Sequence, residues 1–362
     1  MRRVMAVALV TVFLTAGIVF AADFIDAASD APPTSLQDIA ALADQAVTRR
    51  LLAVPGLRSI APTVLLAGGM IEQNGVFITK EYLLEDIKPG PPEIMEENIA
   101  GIEAFLDSHN KPVYVMLIPT ACAVKQDEIP QLAPLYNQKE MIGGVYERFA
   151  GRANLVDVYS ELFAARDQYI YYRTESNLTG LGGYYIYLTL ASRLGFNARP
   201  IDQFEVRHPV HDYYGDLYQR SNYKNVPADI ITVYDYWKYD RQYQLTHIRD
   251  GEAKCYYTLF PYHLAALGEP MDVLLGGEAQ RIDITAASPY EESFLIFADK
   301  TALSYLPFLT VHYGRITVID LSGLTEEMFG ETAPNQYDQV LSAYPADSFV
   351  NRRAAAAAEK LQ

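Results

Sequence analysis

The stretch EIMEENIAGIEAFLDSHNKPVYVMLIPT, residues 93–120, joins two patterns that together predict the fold class. Its first half places five apolar side chains on one face of a helix, because residues three and four positions apart lie side by side there: Met95, Ile99, Ile102, Phe105 and Leu106. Its second half, KPVYVMLIPT, is a short continuous apolar run, which is typical of a strand buried on both faces. A helix followed by a buried strand indicates an α/β protein.

The same alternation continues toward the C-terminus. PLYNQKEMIGGVYERFAG and LGGYYIYLTLASRLGF predict helices, and NLVDVYSEL predicts a strand that ends at Val158. SFLIFADK and GRITVIDLSG predict strands on either side of a helix, TALSYLPFLTVHYG. We therefore predict a three-layer α/β fold with a mostly parallel sheet and helices on both faces. Ligands of such sheets gather at the carboxyl ends of the strands.

Two regions depart from this alternation. Residues 201–290 are rich in tyrosine and turn residues, which predicts a loop-rich insertion or lid. The C-terminal RRAAAAAEK predicts a helix or a frayed end.

The N-terminus, MRRVMAVALVTVFLTAGIVFAADF, is typical of a targeting segment. Arg2 and Arg3 precede an apolar run from Val4 to Ala22, which is either a cleaved signal peptide or a signal anchor. Arginines ahead of the run keep the N-terminus in the cytoplasm and direct the rest outward. We expect an exported protein that is secreted or tethered to the membrane.

The composition excludes some classes of binding partner. The 362 residues include 29 basic and 45 acidic side chains, a net charge of −16, which argues against binding to nucleic acid or an anionic membrane surface. The 27 tyrosines fit either carbohydrate contact or the capping of a core. Cys122 and Cys255 are too few for a disulfide framework, and whether they pair depends on geometry.

Six separated blocks, taken in order, resemble the DHHW family of exported bacterial proteins. They are GVFITKEYLLED, VYVMLIPTACAVKQDEIP, IYYRTESNLTGLGGYY, VYDYWKYDRQYQ, LLGG and IFADKTALSYLPFLTVHYGRITVIDL. The family is related to alginate O-acetyltransferases, so the resemblance implies an SGNH-hydrolase-like fold. The expected organisation is a signal peptide or anchor (1–22), an N-terminal helix and linker (23–75), the SGNH-like domain (76–350) and a C-terminal tail (351–362).

In that family the third block reads YYRTDHHWT and the strand-end block reads roughly IIKDS. Their Asp, second His and Ser form an acyl-transfer triad, because a serine needs a histidine to take its proton and a carboxylate to orient that histidine. In this chain the frame Tyr171-Tyr172-Arg173-Thr174 is kept. The resemblance places the family's active residues on different side chains here: Glu175 for the Asp, Ser176 and Asn177 for the two His, Leu178 for the Trp, and Lys300, after a retained Asp299, for the Ser.

These replacements remove two of the three triad functions. Asn177 has a neutral amide that cannot accept a proton. Lys300 is a nucleophile only if burial strongly lowers its pKa. We therefore predict no catalytic residue at the equivalent positions Glu175, Asn177, Asp299 and Lys300. We expect Lys300 to form an ion pair with Glu175, and Asp299 to cap the helix that follows it.

The remaining candidates are binding residues. Tyr172, Arg173, Ser176 and Asn177 are candidates for ligand contact, with a structural ion pair as the alternative for Arg173. His208, His211 and Asp212 loosely resemble a metal cluster but lack a third well-spaced ligand, so we predict a surface loop and no metal. His312 is predicted to be structural. We expect no cofactor.

Three functions fit these observations. The first is an exported, catalytically degenerate protein that binds a glycan or another ligand of the cell envelope. The second is an active O-acetyltransferase or esterase, acting on cell-surface polysaccharide, whose catalytic residues have moved. The third is a structural partner in an envelope complex, beside a membrane acyltransferase.

Overall fold

The computed structural model describes residues 72–129, 133, 135–236, 242–287, 290–325 and 332–361. The apolar run from Val4 to Ala22 and the predicted N-terminal helix lie outside these residues. The chain divides into two compact units, residues 1–73 with 221–225, and residues 74–220 with 226–362. The smaller unit contributes one described strand, β1 (Glu72–Gln73). The larger unit carries the fold described below.

Twelve further strands are described in chain order: β2 (Val76–Ile78), β3 (Leu83–Glu85), β4 (Val113–Ile118), β5 (Asn154–Leu155), β6 (Phe204–Tyr213), β7 (Asp229–Tyr236), β8 (Tyr243–Arg249), β9 (Glu252–Tyr256), β10 (Arg281–Ala286), β11 (Ser293–Ala298), β12 (Arg315–Ile319) and β13 (Gln339–Pro345). Eight of them form one sheet in the order β5-β4-β13-β11-β12-β10-β8-β9. The first five of that order pair in parallel, and β10, β8 and β9 add antiparallel strands.

The helices are α1 (Pro92–Ser108), α2 (Ala121–Val124), α3 (Gln138–Phe149), α4 (Tyr159–Ala164), α5 (Gly180–Leu194), α6 (Asp216–Ser221), α7 (Leu306–Leu309) and α8 (Ala346–Asn351). Short 3-10 segments join them, including Lys300–Ser304 after β11 and Ala356–Lys360 near the C-terminus. No helix within the described ranges is both long and apolar enough to cross a membrane.

The sheet is covered on both faces. Apolar side chains of α1 and α3 pack on one face against alternate residues of β4, β11 and β13, which include Val115, Phe297 and Val340. The other face is covered by α5 and α7, where the rings of Tyr187 and Phe308 stack with centroids 5.6 Å apart. Because both faces are covered, every residue of β4 and β11 is buried. The predicted three-layer α/β fold is confirmed.

Three local predictions need correction. Residues 201–290 hold five strands instead of loops, and three of these extend the main sheet. The predicted strand through Val158 contains only β5, because Asp157 accepts a hydrogen bond from the Tyr159 amide and turns the chain into α4. The predicted helix after Lys300 splits into a 3-10 turn and α7, since Pro307 has no amide hydrogen to bond backward.

Two further predictions concern the C-terminal tail and the two cysteines. The C-terminal tail is packed and not frayed: Ala355 and Leu361 are buried in the core beside α1. The cysteines do not pair, because Cys122 is buried after β4 whereas Cys255 is exposed on β9.

Candidate functional site

Four parallel strands end at the same edge of the sheet, and a cleft lies beyond them. β4 leads to Pro119, β11 to Asp299 and Lys300, β12 to Asp320, and β13 to Ser348. This is the edge at which ligands of parallel sheets bind. The loop 171–178, which carries the altered triad positions, lies against it.

That loop is a narrow hairpin with defined anchors. Tyr171 forms an isolated antiparallel bridge with Leu178, and the Tyr172 amide donates to the Asn177 carbonyl at 3.1 Å. The Tyr171 hydroxyl donates to the carbonyl of Pro119 at 2.7 Å, which ties the hairpin to the end of β4. The hairpin tip therefore presents Glu175 and Ser176 toward the strand ends.

Asp229, at the start of β7, holds the same loop from its other side. Its carboxylate accepts hydrogen bonds from the Arg173 amide at 2.7 Å, the Thr174 amide at 2.8 Å and the Thr174 hydroxyl at 2.5 Å. The Tyr169 hydroxyl donates to it as well. Burial outweighs these donors and raises the pKa of Asp229. No sequence pattern points to Asp229, because a single aspartate 55 positions from Thr174 gives no local signal.

Glu175 is the centre of the polar network, with only 4% of its surface exposed. Lys300 Nζ lies 3.3 Å from Glu175 Oε1, so the predicted ion pair is confirmed. The Asn177 amide donates to the same oxygen at 3.0 Å. On Oε2, Glu175 accepts the Tyr213 hydroxyl at 3.1 Å and the Asp216 amide at 3.2 Å. The triad-equivalent side chains of Asn177 and Lys300 are thus both bonded to the third, Glu175.

Two glycines permit these close approaches. A Cβ on Gly215 would lie 2.5 Å from Glu175 Oε2, so only glycine lets the start of α6 approach the carboxylate. A Cβ on Gly183 would lie 1.9 Å from the Ser304 carbonyl, so α5 can pack directly on the 3-10 segment that carries Lys300. Gly183 of TGLGG therefore permits the packing that brings the two halves of the site together.

Asp299 has the capping role that the sequence predicts. Its Oδ1 accepts from the Thr301 amide at 2.9 Å, which starts the 3-10 segment Lys300–Ser304. Its Oδ2 accepts the Ser348 hydroxyl at 2.7 Å, which joins the ends of β11 and β13. Asp299 therefore fixes the backbone at Lys300.

The titration behaviour of the network follows from these contacts. Burial alone would raise the pKa of Glu175, but the Lys300 charge and hydrogen bonds from Asp216 outweigh it and hold the pKa below its ordinary value. Asp216 is exposed to the solvent of the cleft. The cleft walls nevertheless desolvate its carboxylate, and together with the nearby Glu175 carboxylate this raises the pKa of Asp216 to about 6. Burial would lower the pKa of Lys300, but Glu175 and Asp216 raise it. Lys300 is therefore an ammonium at neutral pH.

Asp216→Asn is expected to stabilise the protein near neutral pH and to flatten its pH dependence between 3.8 and about 6. In this window the folded state binds a proton that the unfolded state has lost, so the wild-type free energy of unfolding falls as pH rises. A neutral amide removes that loss. Denaturant midpoints measured across this pH range test the prediction, with Asp212→Asn, an exposed carboxylate of the same cleft, as the control. Equal pH profiles for the wild type and Asp216→Asn would contradict it.

Two cavities meet at Lys300. The larger has a volume of about 980 Å³ and lies between Glu175, the 212–219 segment and the 249–250 and 269–280 turns. The smaller has a volume of about 130 Å³ and reaches toward Thr120, Asp299 and Ser348. Asn177, Asp216, Glu278, Lys300 and Asp320 line both cavities.

The four predicted ligand-contact residues separate into two groups. Ser176 lines the smaller cavity, and Asn177 lines both. Tyr172 is fully buried between the rings of Tyr169 and Tyr213, so a ligand in the cleft cannot contact it. Arg173 stacks on the Tyr169 ring at 4.5 Å and lines neither cavity. Burial therefore argues against the predicted ligand contact for Tyr172, whereas for the half-buried Arg173 it stays a prediction.

His312 and His208 form their hydrogen bonds away from the altered triad, whereas His211 lines the larger cavity. His312 is buried, shares a hydrogen bond of 2.8 Å with the Tyr187 hydroxyl and stacks on Phe196, which is the predicted structural role. His208 and His211 lie on β6, where His208 shares a 3.0 Å hydrogen bond with Thr232. Within the described part of the chain, no group of three or more His, Cys, Asp or Glu side chains could hold a metal ion.

Comparison with known protein families matches one family over part of the chain. The family model described as DHHW protein matches residues 94–261. The resemblance to the DHHW family is confirmed. This DHHW segment contains the hairpin 171–178, Asp216 and Asp229, whereas Lys300 lies beyond it. No curated protein sequence matches the chain.

Solved structures confirm the fold around the DHHW segment. The chain is similar to a DHHW family protein from Eubacterium siraeum DSM 15702, with 20% identity and a TM-score of 0.65 over 79% of this chain and 96% of that chain. It is also similar to Bacillus cereus PatB1, with 14% identity and a TM-score of 0.62 over 77% and 98% of the two chains. A PatB1 structure with a sulfonyl adduct matches at 12% identity and the same TM-score, over 77% and 96%. At these identities the likeness shows the SGNH-like fold alone.

Proposed function

We propose that this protein is an exported, catalytically degenerate member of the DHHW family that binds a saccharide of the cell envelope in the cleft at the strand ends. Export is supported by Arg2 and Arg3 ahead of the apolar run from Val4 to Ala22. A saccharide is supported by the volume of the larger cavity, about 980 Å³, and by the exposed ring of Tyr214 on its wall.

The ion pair between Lys300 and Glu175 carries the proposal. In a serine-type site the nucleophile must lose its proton to a neutral base in the transition state. Here the nucleophile position holds an ammonium 3.3 Å from the carboxylate, and the base position holds an amide that donates to it. Neither side chain can perform its family role, because an amide takes no proton and a charged lysine has no free electron pair.

One observation favours a displaced catalytic site as the second candidate. Ser176 and Asp216 both line the smaller cavity, and the Ser176 amide lies 3.4 Å from Asp216 Oδ1. Asp216, with a pKa of about 6, is near the range that suits a general base at neutral pH. In this alternative, Ser176 would be the nucleophile of an O-acetyltransferase or esterase and Asp216 its base.

Turnover of an activated acetyl ester separates the two candidates. For the purified chain with p-nitrophenyl acetate, we expect no repeated turnover above buffer, since loss of a triad base or nucleophile typically costs several powers of ten in rate. Ser176→Ala, Asp216→Asn and Lys300→Ala should give the same trace as the wild type. Ser192→Ala, on the exposed side of α5, is the matched control for the serine change. Multiple turnovers that disappear in Ser176→Ala and persist in Ser192→Ala would establish the displaced site instead.

Calorimetry with a panel of envelope saccharides then tests the binding role. Saturable binding supports the proposal. If no saccharide binds, the remaining role is that of a structural partner in an envelope complex, such as one with a membrane acyltransferase.

A further inference from the structure

The wall of the larger cavity is predominantly acidic. Six of its carboxylates form no salt bridge within the described residues: Asp212, Asp216, Asp250, Glu269, Glu278 and Asp320. Glu278 and Asp250 are exposed to the cavity solvent. Carboxylates around a concave surface focus their field into it, which raises the local concentration of cations and lowers that of anions.

The lysine and the arginine of this wall are already paired, and His211 also lines it. Lys300 is paired with Glu175 at 3.3 Å. Arg249 pairs with Asp272 at 3.7 Å, and its Nε donates to the Glu278 carbonyl at 2.5 Å. An anionic ligand such as a uronate or a phosphate polymer would therefore find no unpaired lysine or arginine on the described wall and would be repelled by the unpaired carboxylates.

The same wall carries an aromatic surface. The rings of Tyr214 and Tyr218 lie with centroids 4.3 Å apart, and Tyr214 is 39% exposed. Tyr214 borders the cavity between Asp212 and Asp216, at the start of α6. A large aromatic ring with an apolar face and a polar hydroxyl can cover the face of a sugar ring.

We infer that the cleft selects a saccharide that carries protonated amino groups. The inference rests on the proposed function and adds the charge of the ligand to it. Tyr214 contacts the sugar face, while the ammonium groups lie near Glu278, Asp250 and Asp216. An amine that is acetylated loses both its charge and its attraction to these carboxylates, so the cleft distinguishes free amino sugars from their N-acetylated forms.

The test compares three oligosaccharides of equal length on the purified full chain by calorimetry. These are a glucosamine oligomer, an N-acetylglucosamine oligomer and an oligouronate, measured slightly below neutral pH at low and at raised salt. The glucosamine oligomer is expected to bind about tenfold more tightly than the N-acetylated oligomer, and raised salt should reduce that difference by screening. Equal or tighter binding of the oligouronate or of the N-acetylated oligomer would overturn the inference.

Matched variants locate the effect. Asp250→Asn combined with Glu278→Gln removes two cleft charges, and we expect glucosamine binding to weaken about fivefold to tenfold. Asp107→Asn combined with Glu147→Gln removes two exposed charges on α1 and α3 and should leave binding unchanged. Equal weakening in both double variants would show attraction to net charge alone and would refute cleft selection. Circular dichroism and melting temperature confirm that each variant is folded.

The outcomes also separate this inference from the proposed function. Tyr214→Ala should weaken the glucosamine and N-acetylglucosamine oligomers by a similar factor, because stacking does not depend on the amine. Binding of both oligomers with equal affinity, lost in Tyr214→Ala, would keep the proposed function and reject amine selection. No binding of any of the three oligomers would reject amine selection, and the wider saccharide panel then decides the proposed function.

Discussion

Asp229→Ala is expected to lower the free energy of unfolding by about 3–5 kcal/mol, because it leaves several donors around a buried site without an acceptor. The carboxylate of Asp229 accepts from two backbone amides, those of Arg173 and Thr174, as well as from the Thr174 hydroxyl. Both Thr174 and Asp229 have no exposed surface, so water cannot replace the lost acceptor without a local opening. Denaturant unfolding monitored by tyrosine fluorescence and circular dichroism measures the change.

Asp229→Asn and an exposed aspartate provide the comparison. We expect Asp229→Asn to cost less than Asp229→Ala, since the amide oxygen still accepts and the substitution removes a charge whose burial already raises the pKa. Asp107→Ala removes an ion pair with Arg152 whose aspartate is 74% exposed, and should cost at most about 1 kcal/mol. If Asp229→Ala destabilises the protein no more than Asp107→Ala does, the four hydrogen bonds do not hold the loop.

The same variant should also affect ligand binding. The loop from Tyr171 to Leu178 carries Ser176 and Asn177 into the cavities. Once its Asp229 anchor is removed, the loop samples more conformations, and ligand binding must order them again. A loss of saccharide affinity that exceeds any loss in Asp107→Ala is therefore expected, even though Asp229 itself lines neither cavity.

Sequence reasoning predicted the parallel core well because its strands and helices have strong patterns. β4 and β11 are continuous apolar runs, and α1 has a clear helical period, so burial alone indicates them. β13 was missed although it lies at the centre of the sheet between β4 and β11. Its sequence, QVLSAYP, contains a buried serine and ends in proline, so its apolar run is too short to stand out.

In the site as well, residues of a local motif could be predicted, whereas contacts between residues far apart in sequence could not. The altered residues of the two motif blocks were visible, since Glu175, Asn177 and Lys300 stand where the resembling family has other side chains. Tyr172 stands in the same motif but is fully buried, and adjacency in sequence does not show which neighbour is exposed. Asp216 and Asp229 lie 41 and 55 residues from their partners, and only the packing of α6 and β7 brings them to the loop. No rule of residue spacing predicts contacts between side chains that are so far apart in sequence.

Lys300→Met is expected to reverse the sign of the Glu175 contribution to the pH dependence of stability in the acidic range. In the wild type the Lys300 charge keeps the pKa of Glu175 below its ordinary value, so Glu175 contributes stability that is lost as pH falls through the folded pKa. Without the lysine, burial is opposed only by hydrogen bonds, and we expect the pKa of Glu175 to rise above its ordinary value. The variant should then lose stability as pH rises through that window.

The size of the effect near neutral pH follows from how much of the pair is exposed. Removing one partner of a fully buried ion pair typically costs about 3–5 kcal/mol. The Lys300 side chain is 37% exposed, so solvent compensates part of the loss, and we expect a decrease of about 1–2 kcal/mol in the free energy of unfolding.

Glu175→Gln combined with Lys300→Met removes the buried charge as well and should recover most of this loss. Denaturant unfolding of both variants across the acidic pH range measures the loss of stability and its recovery. If the single and double variants have equal stability and equal pH profiles, the ion pair does not stabilise the cleft, and the geometry at Lys300 must depend on Asp299 and the packing of Gly183 alone.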